Sequence, residues 1–245
     1  MTLCAVTFDP GLGVDPRTAE FWCAALDAQS QEFAAAWGIP YVPVQLFDSD
    51  VLLAFGQDDA ALARFVADTR LMTVQASLDV PNALGFHDDV AGVIFARVMF
   101  QGDDTPITMS HEKCEEDGDP TCDLYVAMGN GKEQAKEASD RVEGDSYDQV
   151  ATIDGDTMTV KLSNFLLPSA FVPNSTGPWD RMGKLTTWDG LTSGGYEIVR
   201  DQAGNETQVY ARVGRVGMNG HAALASKLQR GDSRTMRRLR GRWSP

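Results

Sequence analysis

The chain has 245 residues, 43% of them hydrophobic, and a formal charge of −14 from 35 acidic and 21 basic side chains. That length suits one large globular domain or two small ones, and the acidic excess would repel phosphate backbone over most of the surface, which excludes a general nucleic-acid binder. No apolar run approaches the roughly 18 residues of a membrane helix, and Met1-Thr2-Leu3-Cys4 lacks the charged and apolar regions of a secretion signal, so a soluble protein made in a cytoplasm is expected.

Residues 3–9 predict a first strand. A helix follows, announced by Asp15 as N-cap and Pro16 in its first turn; it carries Phe21, Trp22, Ala25, Leu26, Phe33 and Trp37 at helical spacing and is ended by Gly38. Residues 41–47 and 50–55 read as strand or strand-like, 58–68 as a short alanine-rich helix, and 71–78 and 93–100 as strands. Between the last two lies Leu84-Gly-Phe-His87-Asp-Asp-Val-Ala-Gly92, where His87 reads as a surface loop residue, or as a second metal-binding imidazole if its loop folds over the helix that follows. Thr105-Pro106 opens a further helix by the same cap logic. From Gly118 onward the texture is β-like, with short runs at 123–128, 150–153, 157–163 and 195–199 divided by Gly, Asn, Asp and Pro clusters. The expected organisation is an α/β part over 1–120, a β-rich part over 121–229 ending in a helix near 219–229, and a basic tail over 230–245.

The four cysteines, Cys4, Cys23, Cys114 and Cys122, have no C-x-x-C pairing and are expected to be reduced thiols. Charge is unevenly spread: residues 197–245 carry +6 and residues 1–196 carry −20, and the stretch 103–157 alone holds 16 Asp/Glu against 4 Lys/Arg. Such density is either a solvated acidic face or a set of carboxylates gathered for a cation.

The segment Ser110-His111-Glu112-Lys-Cys-Glu115 decides where that cation would sit. On a helix His111 and Glu115 are one turn apart on one face, so imidazole and carboxylate can meet at one metal, while Glu112 points about 100° round, toward a bound water. This is the H-E-x-x-H helix of zinc peptidases with its second histidine replaced by glutamate. A third ligand from outside the helix is expected in the acidic run Glu137-Ala-Ser-Asp140-Arg-Val-Glu143-Gly-Asp145-Ser-Tyr147, where Glu137, Asp140 and Glu143 are all open. One histidine and two carboxylates form a harder donor set than ordinary catalytic zinc sites, so Zn2+ competes with another divalent cation such as Mn2+ or Ca2+.

Taken in order, Ala83-Leu-Gly-Phe-His87-Asp, Ser110-His111-Glu112-x-x-Glu115 with Asp119-Pro120, Glu137-x-x-Asp140-x-Val-Glu143-x-Asp145-x-Tyr147, Val160-Lys-Leu-Ser-Asn164-Phe165-x-x-Pro168-x-x-Phe171 and Gly194-Gly195-Tyr196 resemble a family of zincin-like metallopeptidase proteins encoded in tailed phages and prophages. The resemblance spans about residues 80–200. It implies an α+β, metalloprotease-like fold, with a mixed sheet and active-site helix followed by a β-rich part, in a virion or host-cytoplasm setting. By it His111 and Glu115 are metal ligands, Asp140 or Glu143 the third ligand, Glu112 the general base acting on a metal-bound water, and Tyr147 a donor to the developing oxyanion. Lys113-Cys114 and Glu116-Asp117 stand where the family carries apolar residues.

Two functions follow. One is a metal-dependent peptidase. The alternative is a non-catalytic virion structural or decoration protein that keeps a degenerate metalloprotease fold as scaffold, with or without its metal, and docks on other virion proteins through the basic tail. Neither implies sequence-specific nucleic-acid binding or a membrane, and oligomeric state is not legible.

Overall fold

The structure, a computed structural model, describes residues 2–62, 69–80, 83–129 and 131–211. The elements in chain order are β1 (Leu3–Phe8), α1 (Pro16–Trp37), β2 (Val44–Leu46), α2 (Asp50–Gln57), α3 (Asp59–Leu62), β3 (Thr69–Gln75), β4 (Gly85–Val90), β5 (Val93–Met99) and α4 (Thr105–Gly118). Then come β6 (Tyr125–Ala127), β7 (Glu133–Ala135), β8 (Ser146–Ile153), β9 (Asp156–Ser163), β10 (Tyr196–Arg200) and β11 (Glu206–Tyr210), with a 3-10 turn at Asp140–Val142.

The first nine elements build a five-stranded sheet in the order β2-β1-β3-β5-β4. Four strands are parallel, and β4 closes one edge antiparallel to β5, pairing His87 with Ala96 and Phe86 with Arg97. Period-two alternation splits the strands between two cores. Cys4, Val6, Met72, Val74, Ala96 and Val98 pack on one face with Phe21, Trp22 and Leu26 of α1 and Met109 of α4. Ala5, Leu71, Phe86 and Phe95 pack on the other with Leu52 and Phe55 of α2 and Leu62 of α3. His87 therefore projects toward the α4 side, alternate to Phe86.

The second half continues this core. The β8–β9 hairpin contributes Tyr147, Ala151, Val160 and Leu162 to the cluster that holds Cys4 and Val6, so apolar packing runs across residue 120. A four-stranded sheet, β11-β10-β7-β6, follows. A mixed N-terminal sheet bearing the His-Glu helix and then a β-rich half is the α+β, zincin-like arrangement expected from the sequence.

Two local expectations are corrected. Residues 50–57 are helical, because Ser49 caps them by accepting from Leu52 N at 3.2 Å; an apolar run this short has no period to separate strand from helix. Residues 85–90 are a strand and not a surface loop, joined to β5 by a turn with both Ala91 and Gly92 at positive φ. The helix expected near 219–229 and the tail over 230–245 lie outside the described residues. Among the described residues no helix is long and apolar enough to cross a membrane.

Candidate metal centre

α4 opens with Pro106 in its first turn, where a missing N–H costs nothing. It is buried nearly all round, and its apolar deficit is met by charge pairing. Lys113 Nζ donates to both carboxylate oxygens of Asp117 at 2.6 Å, Arg70 reaches Asp117 at 2.8 Å and Glu116 Oε1 at 3.4 Å, and Ser30 Oγ donates to Asp117 at 2.9 Å. The polar residues at 113, 116 and 117 thus face Arg70 of β3, not water.

The next face round carries the site. His111 Nε2 lies 3.1 Å from Glu115 Oε1, one helical turn on, and 3.3 Å from Asp140 Oδ1. All three side chains are buried, and their donor atoms lie within 4.8 Å of one another. A tetrahedral zinc with bonds of about 2.0–2.1 Å holds its donors about 3.3 Å apart, so the spacing fits a small divalent cation.

Asp140 reaches α4 because its turn is pinned from behind. The neighbouring Arg141 is 1% exposed, and its guanidinium donates to the carbonyls of Gly190 at 3.0 Å, Ala170 at 2.9 Å and Trp188. The Arg141 carbonyl accepts from Thr192 N at 3.0 Å. Gly195 passes so close that a Cβ there would lie 2.2 Å from the Arg141 carbonyl oxygen, and one on Gly144 would lie 2.0 Å from that of Ser193. The Gly194-Gly195-Tyr196 motif is thereby explained by packing: it lets two backbones approach and fixes the turn that carries Asp140.

Glu112 turns the other way, toward β4. A Cβ on Gly85 would sit 2.7 Å from Glu112 Oε1, so that glycine makes the room the carboxylate occupies. Glu112 Oε2 lies 3.5 Å from His87 Nδ1, and Glu115 Oε2 lies 3.8 Å from the same nitrogen. The other nitrogen of His87, Nε2, is 3.1 Å from the Asp119 carbonyl and 3.1 Å from Cys122 Sγ. Glu137, also buried, acts electrostatically on both Glu115 and His87.

Burial, then the charges of Glu137 and Glu112, push the Glu115 carboxyl well above the usual carboxylate range; burial and then Glu115 do the same to Asp140. Four buried carboxylates facing one another are unfavourable without positive charge, since burying each uncompensated ion costs several kcal/mol, of the order of 5. A divalent cation would supply that charge.

Of the residues expected at the site, His111, Glu115 and Asp140 converge, with Glu112 and Glu137 alongside. Glu143 is half-buried and closes the 3-10 turn, its N–H donating to the Asp140 carbonyl at 3.3 Å. Tyr147 packs in the α1 core, with the Arg181 guanidinium 3.5 Å above its ring. His87 is the residue sequence reading undervalued; the signal for it was the Ala91-Gly92 turn between two runs of strand length. Compared with known protein families the chain matches no family model, and no match is found among curated proteins.

Proposed function

We propose that the chain is a zincin-like metalloprotein of phage type in which His111, Glu115 and Asp140 hold one divalent cation, Zn2+ in the first instance, as an enclosed structural centre. What carries the reading is the convergence of three donors at 3.1 and 3.3 Å on residues no more than 3% exposed. A cation so enclosed joins α4 to the turn at Asp140–Val142 and neutralises carboxylates that would otherwise repel. Among the described residues its ligands are closed off from solvent, which favours a scaffold role in a virion over turnover.

A peptidase is the second reading, and Glu112 is the observation in its favour. A bound cation would supply Lewis-acid polarisation there, while Glu112, beside the edge strand β4, would take a proton from an attacking water.

One set of preparations separates the readings. Protein purified without chelator should carry near one equivalent of metal or more, His111→Ala should lose the equivalent at that centre, and wild-type protein that is folded but metal-free would sink both readings. Hydrolysis of an unfolded protein substrate, abolished by Glu112→Gln, would favour the peptidase. In the virion reading the basic stretch 230–245 docks on other virion proteins. Deleting it should leave the body folded and abolish incorporation into particles; normal incorporation would remove that role.

A further inference from the structure

We infer that the site is dinuclear: a second divalent cation is held by His87 Nδ1, Glu112 Oε2 and Glu115 Oε2, with Glu115 bridging it to the cation at His111 and Asp140. The inference rests on the metal centre proposed above and extends it. Glu115 has two oxygens, and they face different partners. Oε1 faces His111 Nε2 at 3.1 Å, and Oε2 faces His87 Nδ1 at 3.8 Å. A carboxylate placed between two imidazoles in this way has the disposition of a bridging ligand.

The second donor set meets the requirements of a site independently. His87, Glu112 and Glu115 offer atoms all within 4.8 Å of one another, on side chains that are buried throughout. Glu112 Oε2 belongs to a residue 1% exposed, accepts no hydrogen bond, and points at His87 Nδ1. His87 is oriented from behind, as metal-bound imidazoles are. With the hydrogen on Nε2 it donates to the Asp119 carbonyl at 3.1 Å, while the Cys122 thiol donates to the His87 carbonyl at 3.5 Å. That tautomer leaves a lone pair on Nδ1, facing two carboxylate oxygens. Three electron-rich atoms turned toward one space call for a cation between them.

Charge gives the same count. Four carboxylates, Glu112, Glu115, Glu137 and Asp140, gather here, a formal charge that two divalent cations match and one does not. Imidazole with carboxylate oxygens suits zinc, manganese or iron(II). In this arrangement Glu112 is a ligand and not a proton acceptor. The rival occupant of the space is a proton on Nδ1, ion-paired with Glu112.

The test is metal counting on the full chain, stripped with chelator, loaded with Mn2+ and desalted, together with electron paramagnetic resonance. Wild type should retain two equivalents and give the spectrum of a magnetically coupled pair. His87→Ala should retain one and give the spectrum of an isolated ion, with a circular dichroism spectrum matching wild type. Should His87→Ala fail to fold, the nearly isosteric Glu112→Gln takes its place and should likewise drop the count from two to one. One equivalent in wild type, or a count unchanged in these variants, overturns the second site and leaves the first. No retained metal in folded wild-type protein overturns the first reading and this one with it.

Discussion

At the scale of single residues the centre depends on side chains that never touch a cation. Arg141 is the clearest. Its guanidinium satisfies three backbone carbonyls, and its own carbonyl lies against Gly195, so the residue beside Asp140 is held on two sides. Truncation would strand one buried acceptor, the Ala170 carbonyl, at about 1–3 kcal/mol, and leave the partly buried carbonyls of Gly190 and Trp188 to find water. Arg141→Ala should therefore destabilise the protein by about 2 kcal/mol or more in urea unfolding and lower metal retention as well. A loss below about 1 kcal/mol with full retention would show that the turn holds Asp140 unaided. The sequence exposed His111, Glu112 and Glu115 because chemistry-bearing residue types at helical spacing can be read directly, and left Asp140 open beside Glu137 and Glu143 because the third ligand comes from outside the helix. It did not expose Arg141 as their support, because an arginine in an acidic run reads as solvated, and its partners lie some 30 to 50 positions downstream.

At the scale of elements, α4 is held by buried charge. Asp117 receives Lys113, Arg70 and Ser30 together, and removing it leaves two cations facing each other. Asp117→Ala should cost about 3–5 kcal/mol, the range for orphaning a buried charge. Lys113→Met should cost much less, since Arg70 and Ser30 still hold Asp117 and the methionine fills similar volume. Chemical denaturation of the two variants side by side checks the order, and equal losses would refute it. The start of this helix was legible from Thr105-Pro106. Its packing was not, because the compensating Arg70 comes from β3, and strand neighbours across a parallel sheet leave no local trace. The same limit explains α2, where Ser49 turned an apolar run into a helix, and His87, whose burial follows from β4 pairing on β5.

At the scale of the whole molecule, a boundary near residue 120 was expected from the change in texture. The apolar cluster that joins Cys4 and Val6 to Val160 and Leu162 crosses that point, and so does the metal centre, with His111 and Glu115 on one side and Asp140 on the other. Residues 1–120 and 121–211 should then unfold together. Heating should give one cooperative transition, and adding chelator should shift it without splitting it. A cation at 100 times its dissociation constant contributes about 2.7 kcal/mol, or about 5–10 °C in a protein of this size. Two separated transitions would restore the boundary, and an unmoved midpoint would deny the cation any share in stability. Length and texture indicated a fold class well; they did not reveal the apolar cluster shared across residue 120, since which strand packs against which helix is decided by contacts distant in sequence.

The pinned turn at Asp140–Val142 also bears on the order of events during folding. Asp140 can reach His111 and Glu115 only after a loop of about 25 residues has closed and Gly195, much further along, has come to rest on the Arg141 carbonyl. Such contacts form late, because their closure entropy is offset only once the sheet and hairpin exist. A cation held there as proposed would thus be acquired last. A chain that holds it has already brought its distant parts together, and metal content becomes a measure of how much of a preparation has finished folding.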